Sequence, residues 1–454
     1  MPVSFKKIML VVFIFIASFG LRSQVVNPVL NKMPAAGLRS DFLLLRDTMQ
    51  KIHPAMYRYS GKKEIDHIFD SCYATIRDSM SLVDFYLLTR IAVAAIGDGH
   101  ANSKLSRELT SSYMANTKLF PAMVLFIHNK AYIFCCKQYP SLNGTQLVSI
   151  NGHPLKEIVQ KLFSYITTDA SIESRKNWEL PEDFHLLFNT VYGSQERYVV
   201  SYKSAASETM TTTLLADTIK NFVCKGPFDR PARYLKLNYG TNNTAVLTLQ
   251  TFFNGFLEQT GEDFKKFLDS AFDDIRNRKV KSLLIDVRSN QGGNDDNGAL
   301  LYSYLSKTPF RYYSSLETVH GQFTENGHSL LGLQQPEKNH FDGKVFVLMN
   351  GRSFSGVAEF AAIARSNNRA KFIGEECGGG YYGNSSGDEA MVTLPHTQIT
   401  ARIPLIKYTM AVKSEQAKDG GIHPDYPIDL TMGDLIAHTD GQLEYAMKIA
   451  SNDK

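Results

Sequence analysis

The chain is predicted to be an α/β protein in three parts: a helical N-terminal block, a β-rich middle, and a C-terminal domain built on a largely parallel sheet. Three observations predict this. From Asn31 to Ser103 apolar residues recur at three- and four-residue steps, the period of helices packed on one face. From Ala122 to Ala216 short β-prone runs are broken by turn signals such as Asn143-Gly144. From about Tyr234 onward strand and helix patterns alternate, the order that builds a parallel sheet with crossover helices. A length of 454 residues suits two or three domains, and a 43% apolar fraction suffices for their cores.

Ahead of these parts, Lys6 and Lys7 lead into an apolar run from Ile8 to Phe19, followed by Gly20-Leu21-Arg22-Ser23. A basic start, a short apolar stretch and small residues at its end form the pattern of a secretory signal peptide over 1–23, cut after Gly20 or Ser23. The run is shorter than the roughly 20 apolar residues a membrane span needs. The expectation is export to the periplasm or the extracellular space, with no stable membrane anchor after cleavage. Lys plus Arg (49) nearly balances Asp plus Glu (45), which leaves a formal charge of +4 and no dense basic run, so nucleic acid is not an expected partner. Five cysteines (Cys72, Cys135, Cys136, Cys224 and Cys377) show no framework spacing and no metal-ligand spacing with a nearby His; an odd number leaves at least one without an intramolecular partner.

In the first block (24–112), Ser81 is placed as an N-cap for a helix over Leu82–Ile96, and the block ends at Gly97-Asp-Gly-His100. In the second (113–220), strands are expected at Ala122–Ile127, Ala131–Cys135, Gln146–Ile150, Arg197–Tyr202 and Thr211–Ala216, with a helix over Leu155–Leu162. The segment from Asn143 to Pro154, with Ser149-Ile-Asn-Gly152 ahead of the helix, resembles the strand–turn–helix signature of PDZ domains. In the third (221–454), strands are expected at Ala245–Leu249, Ser282–Asp286, Val345–Met349 and Phe372–Ile373, and helices over Glu262–Arg278, Gly298–Leu305 and Gly356–Ser366. Segment 311–340 is polar and Gly-containing, a candidate cover for a cleft.

Three segments carry chemistry. In Val345–Phe360 an apolar strand passes through a tight turn straight into a helix, with Ser353 and Ser355 at the junction. A hydroxyl there sits at the positive end of the helix dipole beside unpaired N–H groups, as acyl transfer requires, although serine at that place is more often an N-cap. Leu283–Gly293 is a buried strand ending in Gly292-Gly293, where the backbone can approach a ligand closely. The third is the Gly97–His100 loop, which offers an imidazole.

Taken together, these segments resemble the C-terminal-processing serine peptidases, and more closely their tricorn and retinoid-binding-protein-like branch. The matching stretches are Gly97–His100, Leu284–Gly293, Ser353–Ala361, Ile373–Gly380, Gly421-Ile-His-Pro-Asp425 and Asp440–Ala446, in the family's order. The resemblance implies a crotonase-like catalytic domain with Ser355 as nucleophile and an oxyanion hole from Gly292 or Gly293 with the N–H of Gly356. Gly378-Gly379-Gly380 holds no Lys where the Ser–Lys branch has one, so the branch's base maps to His100. This sequence departs from the branch where Gly99 replaces the Ser commonly found beside the base, and where Lys418 falls at the place of the orienting Glu. Asp419, then Glu415, are the candidates for that role. No metal or organic cofactor is implied. The expected partner is a peptide or protein substrate, with a chain terminus a candidate ligand of the PDZ-like domain. Two alternatives are an esterase on the same residues and a non-catalytic binder of an apolar ligand or peptide.

Overall fold

The computed structural model describes residues 31–204, 206–224, 230–414 and 420–452. Segment 1–23, where a signal peptide is expected, and the candidates Glu415 and Asp419 lie outside the described residues.

In the C-terminal part, a six-stranded sheet runs in the order Leu235–Tyr239, Thr244–Leu249, Ser282–Asp286, Lys344–Met349, Lys371–Gly374, Tyr426–Pro427; only the first pair is antiparallel. Its central strands carry unbroken apolar runs, Leu283–Ile285 and Val345–Met349, because both faces are covered. Val345, Val347 and Met349 face the larger core beneath helices Phe264–Asn277 and Gly356–Ser366, whereas Phe346 and Leu348 face Ala446 and Ala450 of the C-terminal helix Gly441–Asn452. That helix is tied down by Arg288, whose guanidinium bonds Asp286, Asp440 and Gln442.

The middle third is a six-stranded antiparallel sheet, in which Met123–Ile127, Lys130–Cys135, Gln146–Ile150, Arg197–Lys203 and Thr209–Leu215 run side by side and the short His153–Pro154 pairs back on Gln146–Ile150, so the expected strands are present. It also contains a 20-residue helix, Glu173–Tyr192, which the sequence reading omits. Leu180, Phe184, Leu187 and Phe188 from this helix fill the core of the sheet. Cys135 and Cys224 form a disulfide across a separation of 89 residues, while Cys72, Cys136 and Cys377 are free and buried.

The N-terminal block packs Ala35–Ile52, Lys62–Ala74 and Leu82–Ala94 around Phe42, Phe69 and Phe85. Ser81 caps the third of these helices in a reciprocal box with Asp84, as the sequence reading places it. The block does not stand alone. Directly after His100, Asn102–Lys104 pairs antiparallel with Thr400–Arg402, the edge of a long hairpin made of Ser385–Thr393 and Thr400–Met410. Leu394, Ile399, Ala401 and Ile403 of that hairpin belong to the N-terminal core. Among the described residues no helix is long and apolar enough to cross a membrane.

Candidate active site

The strand Lys344–Met349 ends at Asn350, and the chain turns through Gly351-Arg352-Ser353-Phe354 into helix Gly356–Ser366. Ser353 is wholly structural: its hydroxyl donates to the Val287 carbonyl at 2.8 Å and accepts from Asn350 N–H at 3.1 Å. Ser355 differs. It adopts φ 55° and ψ −127°, a conformation costly for a residue with a side chain, and its hydroxyl makes no cap bond to the helix. The hydroxyl instead lies 3.1 Å from Nε2 of His100, which comes from 255 residues away in the chain.

His100 reaches that place on a tightly fastened loop. Its ring stacks on Phe354, with centroids 4.6 Å apart and planes 27° apart. A Cβ on Gly99 would fall 2.7 Å from Phe354 Cζ, so the residue beside the base must be glycine for this stacking. The Asp98 carboxylate accepts from the N–H groups of His100 (2.8 Å) and Ala101 (3.3 Å), and its second oxygen is 3.2 Å from Nε2 of His53. Because Ala55 N–H donates to Nδ1 of His53, the His53 proton resides on Nε2, facing Asp98. Burial alone would raise the Asp98 pKa, but the His53 bond and the nearby His53 and His100 charges outweigh it and hold the group at about 2. Burial pushes the His100 pKa down to about 4 against the opposing charge of Asp98; Arg402 and Arg175 lower it further. The imidazole is therefore neutral at pH 7, the state in which it can accept a proton. Its Nδ1 is buried and has no partner among the described residues.

Gly292 and Gly293 form the opposite wall. Gly292 (φ 87°) lies so close to the nucleophile turn that a Cβ would meet Phe354 O at 2.7 Å, Ser355 Cβ at 2.7 Å and Gly356 N at 2.8 Å. Its N–H donates to Asn290 Oδ1 at 2.8 Å, which corrects one expectation: Gly292 is committed internally and is not available as an oxyanion donor. Asn290, fully buried, also donates from its side chain to the Leu249 carbonyl and accepts at its backbone carbonyl from Phe354 N–H, so one residue braces both loops. No bond occupies the N–H groups of Gly293 and Gly356 among the described residues.

The cleft containing these groups has a volume of about 650 Å³. Phe253, Arg175, Asp295, Glu389 and Tyr408 also line it. The hairpin residues Ser386, Gly387 and Glu389 border it, whereas 311–340 does not. The candidate cover in that segment is instead partly sheet: Tyr313–Thr318 pairs with the hairpin, and Tyr313 donates to buried Glu359 at 2.7 Å. Two buried acids beside the base escaped the sequence reading. Asp98 stands inside the Gly97–His100 motif and could have been singled out; Asp169, on a loop of the middle domain, carries no motif. One oxygen of each and one His100 ring nitrogen all lie within 4.8 Å of one another.

A strand-end glycine pair, a strained serine at a helix start and a buried imidazole on its hydroxyl are the kind of groups a serine-type peptidase brings together. Residues 243–428 match the model of peptidase family S41. No curated protein matches the chain. Among solved structures, the fold is similar to mature CPAF at 12% identity and TM-score 0.65, over 92% of this chain and 97% of that one. Mature CPAF complexed with lactacystin gives the same values over 92% and 98%. A protein from Parabacteroides merdae follows at 16% identity and TM-score 0.50, again over 92% and 98%. At these identities the likeness shows a shared fold.

Proposed function

We propose that the chain is an exported serine peptidase that hydrolyses peptide bonds through an acyl-enzyme on Ser355, with His100 as general base. The observation that carries this reading is the 3.1 Å contact between His100 Nε2 and a serine hydroxyl on a strained strand–helix turn. Nε2 takes the hydroxyl proton as Oγ adds to the scissile carbonyl carbon. The resulting oxyanion is received by Gly293 and Gly356 N–H; the imidazolium then passes its proton to the leaving amine. Water, deprotonated by the same nitrogen, releases the acyl group and restores Ser355. The orienting carboxylate is assigned to Asp419, with Glu415 second; the partnerless Nδ1 of His100 is consistent with a partner supplied from outside the described residues.

The middle sheet supports the PDZ-like reading through its free edge. Strand Met123–Ile127 borders helix Glu173–Tyr192, and a groove of about 790 Å³ runs beside them, lined by Leu125, Ile127, Trp178 and Pro181. An extended peptide, or a chain terminus, would add to that edge as a further strand. The Cys135–Cys224 disulfide fits an exported protein, since such bonds persist in oxidising compartments.

Labelling of the purified mature chain with a fluorophosphonate tests the catalytic reading. Label should map to Ser355 and disappear in Ser355→Ala and His100→Ala. An unlabelled, folded wild type would instead favour the apolar-ligand or peptide binder. Hydrolysis of esters with no turnover of any peptide would favour the esterase.

A further inference from the structure

We propose that Asp169, from the middle domain, is a positioning residue for the base: its carboxylate clamps the His100 loop to the 378–380 loop and thereby fixes the imidazole over Ser355. This rests on the catalytic reading above and adds a residue from a third part of the chain. Asp169 is 1% exposed, and both its oxygens are used. Oδ1 accepts from Gly99 N–H at 2.9 Å, one residue before the base, and Oδ2 accepts from Gly380 N–H at 3.1 Å. The next residue adds a third tie, Ala170 N–H donating to the Gly97 carbonyl at 2.8 Å, and does so at φ 52°. A strained loop of the middle domain, buried at Thr168 and Asp169, thus grips the base loop on both sides of Asp98. On the other flank Gly378 N–H is bonded to the Ser353 carbonyl, so the same carboxylate is linked through 378–380 to the nucleophile turn. Base and nucleophile share a brace that neither of their own segments supplies.

The clamp needs an ionised acid. Facing Asp169 are Asp98 and His100 of the base loop, Arg58 and Tyr59 after the first helix, Arg175 of helix Glu173–Tyr192, and Glu359 and Cys377 of the catalytic domain. Burial, then the charge of Asp98, raises its pKa to about 6; the two N–H donors and Arg58 pull the other way. Above that pH both oxygens accept. Below it one oxygen carries a proton aimed at a backbone donor, and one tie is lost. Asp169→Asn reproduces that state at every pH, since its amide nitrogen faces an N–H.

The test measures the fluorophosphonate labelling rate at Ser355 from pH 5 to 8 in the full chain, wild type beside Asp169→Asn and Asp169→Ala. Amide exchange at Gly99 is followed in parallel. The wild-type rate should fall as pH drops through about 6, before His100 itself protonates near 4. In Asp169→Asn that limb should vanish, with the rate at pH 8 lowered on the order of 10- to 100-fold, the scale of a misplaced catalytic group. Gly99 exchange should accelerate in both variants. A wild-type profile without a limb near pH 6, or Asp169→Asn labelling at the wild-type rate, overturns the inference. If the wild type is unlabelled at every pH, the catalytic reading itself falls, whatever the exchange data show.

Discussion

Gly292→Ala is the substitution that separates a donor from a spacer. Were Gly292 an oxyanion donor, alanine would keep the N–H and cost little. In the structure that N–H already belongs to Asn290, and the hydrogen at Cα is what faces the nucleophile. The added methyl would stand 2.7–2.8 Å from Phe354 O, Ser355 Cβ and Gly356 N, where ordinary contacts begin near ~3.5 Å. Two of these three atoms are backbone, so no rotamer change relieves them. Overpacking of this kind costs about 1–3 kcal/mol, and the φ of 87° adds about 1–2 kcal/mol for a residue with a Cβ. A total near 3 kcal/mol corresponds to a fall in Tm of roughly 6–12 °C for a domain of this size. The relief must come from Ser355 and Gly356 moving away from Gly293, which separates the two free donors. Loss of one donor lowers rates by about 100- to 1000-fold. Stopped-time labelling with a fluorophosphonate gives the rate, and a thermal melt gives the stability. Gly261→Ala is the control: its φ is 69°, but nothing lies within 4 Å of the new Cβ, so it should lose about 1–2 kcal/mol and label normally. Wild-type labelling by Gly292→Ala, or equal loss in Gly261→Ala, would refute the reasoning.

Three further outcomes are expected. Burial, aided by the charge of Asp295, raises the Glu359 pKa to about 7; the folded state therefore holds a proton that the unfolded chain releases near 4.5, and stability falls as pH rises from about 4.5 to 7. Glu359→Gln should flatten Tm over that window, and an unchanged slope would show that another group titrates. Arg288→Ala leaves buried Asp286 without its cation and frees the C-terminal helix from the sheet; breaking such a buried pair costs about 3–5 kcal/mol, read as a lower denaturant midpoint. Replacing Cys135 and Cys224 together by serine should cost about 2–4 kcal/mol, concentrated in the middle domain, because the bond closes a long loop in the unfolded chain. Amide exchange resolved by segment would show whether the loss is local.

The parts of this chain legible in sequence are those whose physics is local. Strand Lys344–Met349 is buried on both faces, so it reads as an unbroken apolar run; Ser81 and Asp84 sit three residues apart, as a capping box requires. Helix Glu173–Tyr192 was missed although Leu180, Phe184 and Leu187 have helical spacing, because Pro181 lies inside it and no side chain caps its start. The hairpin at 385–410 was also missed. Its first strand opens with the polar run Ser-Ser-Gly-Asp-Glu, and its later residues earn their places through contacts with a block some 300 residues earlier. The same limit governs the site. Ser355, His100 and the glycine pair stand in recognisable surroundings, but that Gly292 gives its N–H to Asn290 depends on a side-chain rotamer, and Asp169 is defined only by the backbone groups that converge on it. Asp286 and Asp440 belong to recognisable stretches as well, yet their visible work is to hold Arg288.

The pairing of Asn102–Lys104 with Thr400–Arg402 has a consequence for the birth of the protein. The strand that follows the base has no partner until the hairpin near residue 400 has been made, and the nucleophile itself arrives 255 residues after the base. A nascent or translocating chain therefore carries its imidazole long before it carries anything to activate. The residues that complete the N-terminal core and the serine that meets His100 arrive in the same late stretch of synthesis, so the proposed pair is completed at about the time that core can close.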